Sequence, residues 1–243
     1  MRALYFKEIR SFLSSIIGYI FIFIFLISSG LFHWIISQNS NLLEGTEANL
    51  IPFFNLAPIL FFILIPAITM RSIAEERRTG TIELLFTRPI SDIKILLAKY
   101  FAGVTLLILA LIPTVIYYIS VYSLSLNPET YDHGATFTSY IGLILLGATF
   151  VAIGIFASSL TSSQIVAFIV AMFLSWLFYD GFGMLGSYNL MGSFDSILQY
   201  FGMVQHYDSI RRGVIDTSDL IYFFSVIALF IYSALTVVKT LKK

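Results

Sequence analysis

The sequence predicts an all-α membrane protein with six transmembrane helices, and three observations support this fold class. First, 58% of the 243 residues are hydrophobic and 12% are charged, which gives a mean hydropathy of +0.89, well above that of a water-soluble domain. Second, the chain contains six long uncharged runs, each close to the ~20 residues that a helix needs to span a bilayer. Third, none of these runs breaks into the ~10-residue alternating segments of a transmembrane β-barrel. We therefore expect a single transmembrane domain over residues 1–243.

The six predicted spans follow one another with loops of very different length. They cover residues 16–36, 53–70, 100–126, 137–160, 164–179 and 220–238. The fifth run is the shortest, and the Gly-rich, mostly apolar stretch 181–186 can extend it. The first run is longer than the apolar region of a signal peptide, and no small-residue cleavage site follows it. We therefore expect the first span to remain attached.

Lysine and arginine fall almost entirely on one side of this arrangement. The residues on that side are Arg2, Lys7, Arg10, Arg71, Arg77, Arg78, Arg88, Lys94, Lys99, Lys239, Lys242 and Lys243. The loops 37–52 and 127–136, on the other side, contain no Lys or Arg, and only Arg211 and Arg212 lie in the last external loop. Because positive residues are retained in the cytoplasm, both termini are predicted to be cytoplasmic.

The one sizeable loop predicted on the cytoplasmic side covers residues 71–94 and begins with RSIAEERRTGTIELLFTRPIS. It is too short to form a core of its own, yet its sequence is ordered. Arg71 and Glu75 have the i,i+4 spacing of a helical ion pair. Gly80 then interrupts the helix, and Pro89 resets the chain before span 3. The loop is either a solvated positive segment that sets the topology or a docking element for a cytosolic partner.

Two further segments are amphipathic. Residues 1–15 predict an interfacial helix, with an apolar face of Tyr5, Ile9, Phe12, Leu13 and Ile16 and a polar face of Lys7, Arg10, Ser11 and Ser14. The external loop 187–219 predicts an amphipathic helix, with an apolar face of Ile197, Tyr200, Phe201, Val204 and Tyr207 and a polar face of Gln199, His206 and Ser209. The alternative for the second segment is an ordinary connecting loop.

No catalytic, cofactor-binding or metal-binding pattern is found in the sequence. The chain has no Cys, and its three histidines are far apart and outside any HExxH motif. It also has neither a G-x-S-x-G turn nor a phosphate-binding G-x-x-x-x-G-K-[ST] loop. Lys94, Lys99 and Asp180 are expected at span ends, where long side chains reach the interface, so the spans offer no ion relay. Energy for transport would then come from a separate ATPase that docks on the charged loop.

Two motifs carry a family resemblance. The first is K-E-[LI]-R, here Lys7, Glu8, Ile9 and Arg10. The second is E-x-x-x-G-T-[LI]-E-x-L-L-x-x-P, here Glu76, Gly80, Thr81, Ile82, Glu83, Leu84, Leu85 and Pro89, followed by Ala98 and Lys99 where Gly-Lys is usual. Over essentially its whole length the chain resembles ABC-2 type permeases, the membrane subunits of ATP-binding-cassette exporters.

The resemblance implies a role for each of these segments. The loop would couple the permease to a cytosolic ABC-type ATPase through Glu76, Arg77, Gly80, Thr81, Glu83, Leu84, Arg88 and Pro89. Lys7, Glu8 and Arg10 would belong to the interfacial helix. The chain would not be an enzyme, and ATP and Mg²⁺ would be bound by the partner ATPase. A second permease, identical or related, would complete the complex in the bacterial inner membrane, with lipid and an auxiliary envelope protein as further partners and no nucleic acid.

A closer resemblance is to the gliding-motility permease of Bacteroidota, carried by KEIRSFLSSIIGYIFIFIF and SIRRGVIDTSDLIYFFSVIALFI. In that group Arg211, Arg212, Gly213 and Asp216 close the external loop. The simpler alternative is that Gly213 forms a turn and Asp216 caps the helix of span 6. Small residues of span 4, namely Gly147, Gly154, Ala157 and Ser158, are candidates for close helix contacts. Export, mechanical work in motility, and a passive channel or scaffold without an ATPase all remain open as functions.

Overall fold

The computed structural model describes residues 1–36, 49–87, 90–125, 131–187 and 192–242. Throughout these ranges the regular secondary structure is helical. Six helical segments in them are long and apolar enough to cross a membrane: Ile16–Trp34, Ile51–Arg78, Asp92–Leu124, His133–Leu160, Gln164–Ser187 and Thr217–Thr240. The predicted all-α, six-span fold class is confirmed. Each predicted span lies within or largely overlaps one of these segments.

The helices are numbered here in chain order. Helix α1 (Arg2–Ser14) precedes span 1, which is α2 (Ile16–Trp34). Span 2 is α3 (Ile51–Thr69) and continues through a turn into α4 (Ala74–Arg78), which α5 (Thr81–Phe86) follows. Span 3 is α6 (Asp92–Leu111) and α7 (Val115–Leu124). Span 4 is α8 (His133–Leu160), span 5 is α9 (Gln164–Trp176) with α10 (Phe182–Ser187), and span 6 is α13 (Thr217–Thr240). The helices between spans 5 and 6, predicted to be external, are α11 (Ser193–Phe201) and α12 (Met203–Arg211).

Spans 3 and 5 are not regular throughout. Pro113 lies in a 3-10 turn, Ile112–Thr114, that separates α6 from α7. Proline removes a backbone donor and clashes with the preceding turn, so the α-helical ladder breaks at this point. A π-helical turn, Leu177–Gly181, joins α9 to α10. By contrast, α3 continues through Pro58 and Pro66.

Helix α8 is the centre of the bundle and packs against α3, α6, α9, α12 and α13. Its small residues make this close packing possible. A Cβ on Gly147 would lie 2.4 Å from Leu107, and one on Gly154 would lie 2.0 Å from the Thr69 hydroxyl oxygen. The candidate contact positions of span 4 are therefore used within the chain. Apolar side chains that remain exposed lie on several other spans, for example Phe23 of α2, Ile116 of α7 and Ile169 of α9.

The expectation that Lys99 lies near a span end stays a prediction, since Asp92–Leu124, at 33 residues, is longer than the ~20 residues that cross a bilayer. Lys99 lies well inside α6 and is 4% exposed. Its ammonium group stays buried instead of extending along the helix to solvent, and two carboxylates, those of Glu8 and Glu76, compensate its charge. Asp180 also lies within a span, in the π-helical turn of span 5. Lys94, in contrast, is exposed near the start of α6.

The two amphipathic segments are helical but differ from the prediction in detail. In α1 the predicted polar face is exposed. The predicted apolar face is wrong at Ile16, which is 73% exposed and belongs to α2. The helix is interrupted at Ser15, whose side chain caps the start of α2. The external segment forms two helices separated at Gly202, where the backbone is extended. Its predicted faces do not hold across the break: His206 is 3% exposed, whereas Tyr200 is 55% exposed.

Candidate functional site: a charged cluster beneath the loop between spans 2 and 3

The loop between spans 2 and 3 is a short helix–turn–helix. Helix α4 ends at Thr79, whose hydroxyl donates to the Glu75 carbonyl oxygen at 2.8 Å. Gly80 follows with φ = +72°, a left-handed conformation that favours glycine, and α5 begins at the next residue. No atom lies within 4 Å of the position that a Gly80 Cβ would occupy. The tip exposes Arg78, Thr79, Gly80, Thr81 and Glu83.

The base of α4 is anchored to span 4 by Ser158. Its hydroxyl oxygen accepts hydrogen bonds from the backbone N–H groups of Ile73 and Ala74, both at 3.0 Å, and its hydrogen is donated to the Met70 carbonyl oxygen at 2.9 Å. Amide groups at the start of a helix have no partner within the helix, so Ser158 supplies one. Arg77 adds a 2.6 Å hydrogen bond to the Ser159 carbonyl oxygen. Helix α4 is thereby fixed to the end of α8.

Beneath the loop, Lys99 of span 3 joins α1 to α4. Its Nζ lies 2.8 Å from Glu76 Oε1 and 3.3 Å from Glu8 Oε1. The side chains of Lys99, Glu8 and Glu76 are 2%, 11% and 16% exposed, so this charge cluster is largely removed from water. The two glutamates are 91 and 23 residues from the lysine in sequence. Three separate elements therefore meet at one ammonium group.

The cluster is close to electrically balanced. Two carboxylates face one buried ammonium, and Lys7 contributes a second positive charge 3.5 Å from Glu8 and 4.0 Å from Glu76. A buried charge is costly unless it is paired, and removal of one partner leaves the others uncompensated. The arrangement therefore holds α1, α4 and α6 together as long as all of its members are present.

Further ion pairs surround the cluster. Arg71 and Glu75 form the predicted i,i+4 pair, with Nε 2.7 Å from Oε2. At the C-terminus, Lys242 Nζ lies 2.8 Å from Asp92 at the start of span 3. The end of the bundle that carries both termini is thus the charged end of the molecule.

The residues predicted for ATPase coupling occupy three kinds of position. Glu76 and Arg77 face the protein and anchor the loop, whereas Gly80, Thr81 and Glu83 lie at its exposed tip. The backbone of Leu84 is part of α5, and Arg88 and Pro89 lie outside the described residues. In the interfacial helix, Lys7 and Glu8 join the charge cluster, while Arg10 is exposed.

Lys99 and Ser158 were not predicted to hold the loop, although Lys99 matched a family motif. The sequence feature that could have indicated this role is that Lys99 is surrounded by apolar residues in the first half of α6. Such a residue needs a counter-charge. The sequence did not show which of the 14 acidic residues supplies it.

At the opposite end of the bundle, the predicted external residues form a turn and a cap. Arg211 pairs with Asp208 at 3.0 Å, and its carbonyl oxygen accepts a hydrogen bond from Ser139. Gly213 has φ = +91°, and the Asp216 carboxylate accepts from the Ser218 N–H at the start of α13. This geometry agrees with the simpler interpretation, in which Gly213 forms a turn and Asp216 caps the helix of span 6. Arg212 is exposed.

Two buried side chains of α12, His206 and Tyr207, connect the predicted external helices to the spans. His206 Nδ1 lies 2.7 Å from Asp219 Oδ1, Nε2 lies 3.0 Å from the Tyr200 carbonyl oxygen, and the ring stacks on Tyr222. Burial raises the pKa of the Tyr207 phenol well above its ordinary value. The neutral hydroxyl donates to the Phe54 carbonyl oxygen at 2.8 Å.

Among the residues that the structure describes, no three His, Cys, Asp or Glu side chains are grouped closely enough to hold a metal ion.

A comparison with protein families gives one match, which covers nearly all of the chain. The family described as "ABC-2 family transporter protein" matches residues 2–241, from the start of α1 to the end of α13. Both the charge cluster and the loop tip lie within the matched range. No curated protein matches the chain in a sequence comparison.

Proposed function

Because the chain belongs to the ABC-2 family of transporter proteins, we propose that it is a permease subunit through which a separate cytosolic ATPase drives export or mechanical work. Members of this family are transmembrane subunits of ABC transporters and are not themselves catalytic. The six apolar spans accordingly make this chain a multi-pass membrane protein. In our proposal it lies in a bacterial inner membrane with both termini in the cytoplasm, an orientation supported by the distribution of Lys and Arg.

The exposed loop tip on a fixed base is the observation that carries this proposal. Arg78, Thr79, Gly80, Thr81 and Glu83 project from the charged end of the bundle and contribute little to its core. A segment that served only to set topology would not need a buried anchor. This one is joined to the central helix of the bundle by several hydrogen bonds.

In this mechanism the partner ATPase binds ATP and Mg²⁺, and its closure displaces the loop tip. The displacement has two routes into the membrane. One runs through Ser158 and Arg77 to span 4. The other runs through Glu76 and Lys99 to span 3 and to α1. The permease halves would then alternate or open laterally.

We further propose that a second permease, identical or related, pairs with this chain. The exposed apolar side chains of α2 and α9 leave surface for such a pairing, and where no second permease covers them they contact lipid. The likeness of the N-terminal segment and of the segment entering span 6 to the gliding-motility permease supports mechanical work in motility, with an auxiliary envelope protein on the external side.

The test is co-purification of the full chain in mild detergent from its native membrane, with Thr81→Arg and Thr240→Arg compared. Both threonines are exposed at the charged end, but only Thr81 lies at the loop tip. We expect the wild type and Thr240→Arg to retain a cassette-type ATPase, identified by mass spectrometry. We expect Thr81→Arg to retain about tenfold less of the ATPase, because a loss of ~1.4 kcal/mol in binding free energy weakens the affinity tenfold.

Each alternative function gives a different result. Equal ATPase recovery with both variants would contradict docking at the tip. Recovery of envelope proteins without any ATPase would favour the scaffold. Ion conductance of the reconstituted chain without nucleotide would favour the passive channel.

A further inference from the structure

A polar cavity of about 180 Å³ lies between the interfacial helix α1, the end of span 2 and the loop. This volume is several times the ~30 Å³ share of one water molecule in the liquid. One wall is the charge cluster, with Glu8, Glu76 and Lys99. The cavity is next to the loop tip but is lined by different side chains, apart from Thr79 and Thr81.

The lining contains charges of both signs. Lys7, Arg71 and Lys99 are positive, and Glu8, Glu75 and Glu76 are negative. These charges are already paired within the chain, Arg71 with Glu75 and the two lysines with Glu8 and Glu76. A simple anion or cation would therefore disturb a balanced set of ion pairs and leave one sign in excess. A ligand that carries a phosphate and an ammonium group at separate points can satisfy both sets.

The position of the cavity indicates where such a ligand comes from. It lies where α1 meets the start of span 1, and its lining includes Phe12, Ile17 and Ile68 beside the charged groups. The next residues of span 1 that face outward, Tyr19 and Ile20, are exposed and apolar. An amphipathic helix of this kind lies at the level of lipid headgroups. The cavity is therefore bordered by charged and by apolar side chains, the two environments that a phospholipid requires.

We propose that this cavity binds the headgroup of an aminophospholipid of the phosphatidylethanolamine type. The phosphate would lie by Lys7, whose side chain is 59% exposed, and by Arg71. The primary ammonium would donate hydrogen bonds toward Glu75 and the neighbouring hydroxyl of Ser72. A choline headgroup cannot donate these bonds and is recognised by aromatic cages. Among the described residues that line this cavity, Phe12 is the single aromatic side chain. The proposal does not depend on an ATPase partner.

The test is native mass spectrometry of the full-length chain in detergent. The protein is incubated with equal amounts of phosphatidylethanolamine, phosphatidylglycerol and phosphatidylcholine of identical acyl chains. We expect one phosphatidylethanolamine to be retained in preference to the other two by about tenfold. Equal retention of all three lipids would overturn the proposal.

Two variants with the same change of charge make the test specific. Lys7→Glu acts at the cavity, and Arg10→Glu acts on the exposed face of the same helix. We expect Lys7→Glu to reduce bound phosphatidylethanolamine about tenfold and Arg10→Glu to change it less than about twofold. Similar losses in both would show only a general surface charge effect and would contradict the site.

Soluble glycerophosphoethanolamine distinguishes the lipid from a free headgroup. If both compounds bind and compete, the site recognises the headgroup and the proposal holds. If the soluble compound binds and the lipid does not, the site takes a free zwitterion, and the lipid proposal is wrong.

Discussion

Replacement of Lys99 by methionine gives the sharpest test of the charge cluster. Methionine keeps the approximate size of the side chain but removes the ammonium group that lies 2.8 Å from Glu76 and 3.3 Å from Glu8. Two carboxylates, 16% and 11% exposed, then face each other without their buried counter-charge. Breaking a buried ion pair in this way typically costs roughly 3–5 kcal/mol. Because both carboxylates retain some contact with water and Lys7 is near, we expect a loss of about 3 kcal/mol, at the lower end.

The assay is the free energy of unfolding of the full chain in mixed micelles titrated with a denaturing detergent. A loss of about 3 kcal/mol lowers the ratio of folded to unfolded protein ~150-fold. Lys94→Met is the matched control, since this lysine is exposed on the same helix and the net charge changes equally. It should change the free energy by less than ~0.5 kcal/mol.

A triple variant separates the charges from the shape of the cluster. Lys99→Met combined with Glu8→Leu and Glu76→Leu removes the three buried charges and leaves only Lys7, whose side chain is 59% exposed. This variant should lie within about 1 kcal/mol of the wild type, because an apolar set of similar volume replaces a buried ion cluster at little cost. The reasoning would be refuted if Lys99→Met were as stable as Lys94→Met, or if the triple variant were no more stable than Lys99→Met.

The remaining predictions concern packing and buried hydrogen bonds, read out by the same unfolding assay. Gly154→Ala should destabilise by about 1–3 kcal/mol, because its Cβ would meet Thr69 at 2.0 Å; an unchanged stability would show that the helices separate freely. Ser158→Ala leaves two buried N–H groups without their partner and should cost about 2–3 kcal/mol, with faster amide exchange in α4, whereas Ser159→Ala should leave that exchange unchanged. Tyr207→Phe should cost ~1 kcal/mol, and a smaller effect would mean that its hydrogen bond to span 2 contributes little.

The spans were predictable from sequence because burial in lipid demands long apolar helices, a property of composition over some twenty residues. The local interactions were predictable for a similar reason: Arg71 and Glu75 pair because they are one helical turn apart. The break in the external helix had a local signal too, since Gly202 separates its halves. The break was not predicted because the apolar residues keep a helical spacing on both sides of Gly202.

The cluster around Lys99 could not be predicted in the same way. Its partners come from α1 and α4, and their position depends on how the interfacial helix packs along span 3. A hydrogen bond between Tyr5 and Thr105 at 2.7 Å belongs to that packing. Helical periodicity places Glu8 only relative to its own helix, so it does not identify a partner in another element. The burial of His206 could not be predicted for the same reason, since it depends on contact with Asp219 and Tyr222 of span 6.

The two anchors of the loop differ in kind, and the difference bears on how movement would pass into the membrane. Around Ser158 the hydrogen bonds are directional and largely buried, and opening them would leave backbone groups unpaired at about 1–3 kcal/mol each. The attraction at Lys99 depends mainly on distance and tolerates sliding of the carboxylates around the ammonium group. We therefore expect α4 to move with span 4 as one body and to slide relative to α1.

Spin labels can test this expectation directly, because the chain has no native cysteine. Labels at Arg78 and Thr161 report on α4 and the end of span 4, and labels at Arg78 and Ser11 report on α4 and α1; these three residues are not buried. When nucleotide is added to the assembled complex, the first distance should stay constant and the second should change. A change in the first distance with a constant second would reverse the assignment: α4 would then be fixed to the interfacial helix by its charges, and the hydrogen bonds of Ser158 would be the joint that opens.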